Sequence, residues 1–224
     1  MQVINQLPAC IMSVTAKPTK QATEVRQASL VAAALALAAK RSPAEITTGD
    51  LARAVGISQG AVFKHFASKE ALWLAVLNEV STTLTSRLTA AAAPTATLSA
   101  LDALRAVFMA HVDFVMAYPG VPRVIFQELQ SPTDTALKAS VRHLLKDYRQ
   151  VLQTLLLQAN KEQGLEPDFD LDAAAVLFIG AVQGLVMQAL ISGHVADIAR
   201  QAPGVFALYQ RGLLRRPTDN QGTP

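Results

Sequence analysis

The chain has 224 residues, of which 51% are hydrophobic and 17% charged, and carries a formal net charge of +3. That balance excludes a largely disordered polymer and is enough to bury one large core or two modest ones. The charge is mild but uneven: residues 1–90 hold nine Lys/Arg against five Asp/Glu, and residues 91–224 hold eleven against twelve. The positive surplus therefore sits toward the N-terminus, as an anionic partner contacted at that end requires. The single cysteine, Cys10, has no intramolecular disulfide partner, which fits a reducing cytoplasm. No Lys or Arg precedes the apolar part of the N-terminus and Pro8 interrupts it, so this stretch does not read as a signal peptide. Ala is abundant and apolar residues recur at helical rather than alternating spacing, which predicts an all-α chain.

In chain order, residues 1–21 read as a flexible arm ending in Lys17 and Lys20, able to lay its lysines against DNA. A helix is predicted from Ala22 to Arg41, with Leu30, Ala33, Ala34, Leu37 and Ala38 as its inward stripe and Ser42-Pro43 as its stop. The most informative stretch follows, Thr47 to Lys69. Thr47 is placed to cap a short helix while Asp50 reaches back to it, as in a capping box. Leu51 and Val55 point inward, and Gly56 supplies the turn where one helix ends and the next is aimed. Ile57 and Val62 close a small core. Ser58, Gln59, Gly60, Ala61, Phe63, Lys64 and His65 are left facing outward, which suits a recognition helix entering a major groove by its N-terminus.

Thr47-Thr48, Ala52, Gly56, Ser58, Gly60, Phe63, His65-Phe66 and Lys69 stand at the spacing of a known pattern. The stretch resembles the DNA-binding domain of the TetR family of one-component transcriptional regulators. The resemblance implies an N-terminal helix-turn-helix domain of three helices, residues 22–70, and a connecting helix over residues 71–93. A larger helical domain for ligand binding and dimerisation, residues 94–214, follows, then a disordered tail over residues 215–224. It also implies that Thr48, Lys69 and the backbone at Gly60 hold phosphates with help from Lys64, while Ser58, Gln59 and Ala61 face base edges. Thr47 and His65 complete the DNA-facing set, each with a structural alternative: capping for Thr47, a backbone hydrogen bond at the helix end for His65. The chain departs from the family pattern at Ala38, where Phe is common, at Ser42-Pro43, where Gly is more usual, and at Phe63, where Tyr is usual.

Beyond this stretch, Ser68 is expected to cap a helix running through Leu72, Trp73, Val76, Leu77, Val80 and Leu84 and fading at Ala90–Pro94. A helix over 98–118 shows two apolar faces, one with Leu98, Leu101, Leu104, Phe108, Val112 and Val115, the other with Val107, His111, Phe114 and Tyr118. Pro119-Gly120 breaks it before a short helix over 121–129. Ser131-Pro132 is expected to open a long helix that ends near Gln163, where Gly164 and Pro167 stop it. Asp170 caps the next, Leu171 to about Ile191, which has no charge from 173 onward. A last helix is predicted over 199–214.

No catalytic constellation is visible. His111, His143, His194 and Cys10 lie in different segments without metal-ligand spacing, no nucleophile sits in a glycine-framed elbow, and no phosphate loop is present, so neither an enzyme, a cofactor nor a metal is expected. Helices apolar on more than one side suit a bundle enclosing a pocket. Its candidate lining is His111, Phe114, Tyr118, Phe126, Tyr148, Phe178 and Gln183, with core packing as the plain alternative for each aromatic. The ligand expected there is apolar or aromatic. Gly180 and Gly184, spaced as GxxxG, together with Met187 and Phe206, are the candidate interface of a homodimer. A membrane span over 173–191 is the competing reading of that run, disfavoured by Gln183 and Gln188. The functional expectation is a cytoplasmic, sequence-specific regulator that binds double-stranded DNA at a pseudo-palindromic operator, a repressor released by a small effector. The alternatives are a membrane-associated or small-molecule-sequestering helical protein, an effector-independent DNA binder, and an activator.

Phe63 packs but cannot donate to a phosphate. Phe63→Tyr is expected to tighten operator binding by about fivefold, the worth of one added hydrogen bond. Titration of labelled operator measures it, and unchanged affinity would place the ring away from the backbone.

Overall fold

Side-chain oxygens begin most of the helices. In the computed structural model, which describes residues 20–93, 98–166 and 169–214, the described residues form nine α-helices. They are α1 (Lys20–Ala38), α2 (Thr48–Val55), α3 (Gln59–Val62), α4 (Lys69–Ala92), α5 (Ala100–Ala117), α6 (Gly120–Leu129), α7 (Ala136–Gln163), α8 (Leu171–Ser192) and α9 (Ala196–Leu213). Thr47, Ser58, Ser68, Ser99, Thr135 and Asp170 each accept from a backbone N–H of the following first turn, a contribution of about 1 kcal/mol per cap. Among the described residues, the only strand-like pairing is an isolated bridge between Leu165 and Leu214. The arm as far as residue 19, with Cys10 and Lys17, the tail from residue 215, and the breakers Pro94 and Pro167 lie outside the described residues.

Several predicted boundaries move, and α1 runs from Lys20 to Ala38, three residues short of the expected end at Arg41. The long helix opens at Ala136, not at Ser131-Pro132. Thr135 supplies a better cap, because its extended backbone aims the hydroxyl oxygen at Lys138 N, 3.1 Å away, while its O–H donates to Glu128 at the end of α6. Leu98 stands before the Ser99 cap and is 39% exposed, so it is not part of the apolar face of α5. The last helix starts at Ala196 and runs through Pro203, giving up one backbone bond.

The buried residues are almost all aliphatic or aromatic, and among the described residues no charged side chain is fully buried. α4 shares this core along its length, burying Leu72, Trp73 and Val76 near its start and Val80, Leu84 and Leu88 further on. It thus joins the first three helices to the bundle of α5 to α9. On the far side, Phe108, Phe178, Phe206 and Tyr209 form an aromatic knot, with ring centroids 5.3 Å apart for Phe108–Phe178 and for Phe178–Tyr209. Edge-to-face geometry of this kind favours ring pairs beyond their buried area. Tyr209 donates its hydroxyl to Ala174 O at 3.1 Å and pins α9 to α8.

A second junction runs through α6. Gly120 faces the end of α1 so closely that a Cβ there would overlap the carbonyl oxygen of Leu35 and lie 2.9 Å from Ala39 N. Seven residues on, Gln127 Oε1 accepts from Ser42 Oγ and from Ala44 N, both at 3.1 Å. α6 is therefore fastened to the loop between α1 and α2 at one point and packed on α1 at another.

Gly120→Ala is expected to cost about 1–3 kcal/mol, since backbone on the α1 side cannot move aside as a flexible side chain would. Urea unfolding measures it, and a variant as stable as wild type would mean that α6 does not rest on α1.

Candidate nucleic-acid interface and ligand cavity

The reading head is built from caps. Thr47 Oγ1 accepts from Asp50 N at 3.1 Å and donates to Asp50 Oδ2 at 2.8 Å, and Thr47 N donates to the same oxygen at 2.9 Å. These bonds hold the Asp50 carboxyl well below the usual carboxylate range, with the Thr47 backbone contributing most and Arg41 adding to it. Gly56, at φ 71°, ends α2 in the left-handed region that suits glycine and turns the chain into α3. Val62 is buried, while Ser58, Gln59, Gly60, Phe63 and Lys64 are exposed together along α3 and just beyond it. Ala61 is half-buried among them. Gln59 Nε2 donates to Thr48 Oγ1 at 2.9 Å, which leaves the Thr48 hydroxyl its proton to donate and the Gln59 carbonyl its oxygen to accept.

Three residues of the expected DNA-facing set also make contacts within the chain. The Thr47 hydroxyl has already donated its proton to Asp50, which leaves nothing to offer a phosphate oxygen. His65 has its Nδ1 buried without a hydrogen-bond partner, and its backbone carbonyl accepts from Gln27 Nε2 at 3.0 Å. Its backbone thus ties α1 to the turn after α3, while the imidazole is half-buried. Lys69 donates to Ala44 O at 2.9 Å, and partial burial lowers its pKa, so one of its protons is held by the α1–α2 loop. Its two remaining N–H groups are what it can direct at DNA.

In the second domain, α4 to α8 enclose a cavity of about 100 Å³. It gathers His111, Phe114, Phe126, Tyr148 and Gln183, five of the seven residues expected there. Tyr118 lies instead on the groove beside α1, where Arg87 sits 5.4 Å from its ring and 5.6 Å from that of Phe114. Phe178 belongs to the aromatic knot and is fully buried. The sequence reading missed the aliphatic lining, such as Val80 and Leu84 from α4, Ile125 from α6 and Ile179 from α8. Each was visible as an apolar helix position; nothing in the sequence separates a cavity wall from ordinary core. His111 Nδ1 lies 3.2 Å from the Tyr148 hydroxyl. Loss of solvation pushes the His111 pKa down to about 4 and raises that of Tyr148, so both are neutral at pH 7.

α8 is the one described helix long and apolar enough to cross a membrane, yet one side of it, including Ala175, Phe178 and Val182, is buried within the protein. Its other side carries Gly180 and Gly184, with nothing within 4 Å of a Cβ at either, beside Val176, Leu177, Met187 and Ile191, each at least 42% exposed. Phe206 departs from the expected interface set: it is 1% exposed, turned into the knot, and the outward apolar residue of α9 is Leu208.

A helix-turn-helix head fixed through two helices to an all-α bundle that holds an apolar cavity defines a DNA-binding regulator with a sensor-type domain. Residues 30–76 match the family described as bacterial regulatory proteins, tetR family, and residues 126–203 match the tetracyclin repressor-like C-terminal domain. The chain belongs to the TetR family. Among curated proteins it is 27% identical over 147 residues to the nucleoid occlusion factor SlmA of Glaesserella parasuis serovar 5, covering 66% of this chain and 72% of that one. It is 31% identical over 108 residues to SlmA of Haemophilus ducreyi, covering 48% and 52%. The matched part thus spans from half to somewhat over two thirds of these relatives. Among solved structures it is similar to the fatty acid degradation regulator FadR from Bacillus halodurans, with TM-score 0.74, 18% identity and 85% and 97% of the two chains covered. FadR from Bacillus subtilis in complex with stearoyl-CoA gives TM-score 0.71, 18% identity and 83% and 98% coverage. At such identities the likeness is one of fold.

The depressed His111 pKa gives stability a pH dependence. Below the ordinary value of 6.5 the unfolded chain gains a proton on this imidazole that the folded chain refuses until about pH 4. The contribution is therefore complete above pH 6.5 and erodes at up to about 1.4 kcal/mol per pH unit as pH falls through that window. Urea unfolding at pH 7.5 and pH 5 should show a smaller drop for His111→Gln than for wild type; equal drops would mean the imidazole is solvated.

Proposed function

We propose that the chain acts as a homodimeric repressor, released from a pseudo-palindromic operator when a small apolar or aromatic effector occupies the cavity. The observation that carries this reading is α6. Its Val121, Pro122, Ile125 and Phe126 help wall the cavity, while its Gly120 and Gln127 hold the DNA-reading head. α4 adds a second route, since Val80 and Leu84 line the same cavity and its first turn carries Lys69. An effector that spreads α6 from α7 would thus move the head without touching it. For a hundredfold loss of operator affinity it must prefer the released arrangement by about 2.7 kcal/mol.

The exposed apolar side of α8, with Leu208 of α9, supports dimerisation through a four-helix contact between two copies, the two glycines letting the backbones approach. Two reading heads would then meet major grooves roughly 34 Å apart. On this reading the protein works in the cytoplasm, at the nucleoid. The likeness to nucleoid occlusion factors favours a second reading, an effector-independent binder of many chromosomal sites. A cavity walled by both connecting helices weighs toward the first.

Footprinting with the wild-type protein should protect a site of two-fold symmetry, and binding should weaken steeply with salt. Gly184→Leu should sediment as a monomer and lose that footprint. A Gly184→Leu protein that remains a stable dimer would remove the proposed interface, and an asymmetric, salt-insensitive footprint would remove the operator reading.

A further inference from the structure

The polar content of the cavity is small enough to read as a recognition rule. Its lining contains no charged residue, and its polar side chains are His111, Tyr148 and Gln183, the last exposed at the rim. Within the cavity the hydrogen-bonding chemistry reduces to the His111–Tyr148 pair, at 3.2 Å. His111 Nε2 makes no hydrogen bond to any described residue. With the imidazole neutral, two proton arrangements are open to the pair. If Tyr148 donates to Nδ1, the pair presents an Nε2–H donor and a phenolic lone pair. If Nδ1–H donates to Tyr148, it presents an O–H donor and an Nε2 lone pair. Either way one donor and one acceptor remain. A carbonyl, ether or halogen answers only a donor; a hydroxyl can answer whichever of the two, donor or acceptor, the pair turns toward it. A carboxylate finds no cation in the lining and would be buried with its charge unpaired.

Resting on the reading of the cavity as the effector site, we propose that it selects an uncharged hydroxyl compound built on a single apolar ring, a phenol or cyclic alcohol whose hydroxyl bonds to the His111–Tyr148 pair. Size supports the single ring. A cavity of about 150 Å³ admits benzene, and the one here is about 100 Å³. One ring therefore exceeds the enclosed space and presses on the wall or reaches into the mouth. The wall includes Ile125, Phe126 and Leu129 of α6, of which Leu129 is 54% exposed. A ring that anchors by its hydroxyl on α5 and α7 and presses on α6 pushes against the helix that holds the α1–α2 loop. Anchoring gives the affinity; the excess volume gives the displacement.

Three probes separate the elements of this rule: 4-ethylphenol, ethylbenzene and 4-ethylbenzoate, titrated calorimetrically into the full-length protein at pH 7.5. The expected order places 4-ethylphenol about tenfold tighter than ethylbenzene, with 4-ethylbenzoate weakest. In Tyr148→Phe the preference for 4-ethylphenol over ethylbenzene should shrink to within about twofold while ethylbenzene still binds. Equal binding of ethylbenzene and 4-ethylphenol by wild type, or strongest binding of 4-ethylbenzoate, overturns the hydroxyl rule and leaves the cavity as an effector site. Binding of none of the three, or binding unaltered in the cavity-filling variant Ile179→Phe, overturns the rule together with the cavity reading. The wild-type ladder decides the hydroxyl rule even where a variant fails to fold.

Discussion

The close approach of α6 to the end of α1 is the constraint on which the working of this molecule depends. Gly120 has no side chain to hold the helices apart, and Gln127 turns one amide oxygen toward Ser42 and Ala44. Interiors are densely packed and respond to strain by shifting whole elements. On the proposed reading, a helix walling a cavity on one side and touching the reading head on the other is a lever. The contact with α1 is backbone against backbone, which makes it stiff; the contact with the loop is a pair of hydrogen bonds, which makes it breakable.

The reading head shows how few side chains are left for DNA once local structure has been satisfied. Thr47 and Asp50 are engaged by the capping box, the Nδ1 of His65 is buried, and part of Lys69 is held by Ala44 O. The exposed set on and after α3 is accordingly compact. Thr48 and Gln59 are linked, so on the proposed reading the residue offered to a phosphate also orients the amide offered to the bases.

α8 answers two demands with one apolar sequence. Its inner side joins the aromatic knot and the cavity wall, and its outer side is small and apolar around Gly180 and Gly184. Both sides being apolar is what gave the run its resemblance to a membrane span. Phe206 illustrates the same ambiguity on α9: a large aromatic near a supposed interface, yet one that packs on Phe108 and Phe178 within its own chain.

Most of the architecture was legible from local signals, because those signals are local in cause. Caps such as Thr47, Ser68 and Asp170 act on the next three residues, Gly56 and Gly164 stop helices through their own φ, and helical periodicity reports burial one element at a time. Where two local signals competed, at Ser131-Pro132 against Thr135, the outcome depended on Glu128 from the preceding helix. The cavity was only half legible: its aromatic and polar members could be named, but Phe178 and Tyr118 share their periodicity and face elsewhere. The sequence by itself determined an all-α chain, a helix-turn-helix near one end and a charge surplus beside it, since capping, turn chemistry and charge are properties of neighbouring residues. Only the tertiary structure decided that His111 meets Tyr148, that Gln127 meets the α1–α2 loop and that Gly120 rests on α1. Each of those contacts joins residues 37 or more positions apart, and pairings at that distance are fixed by how helices pack.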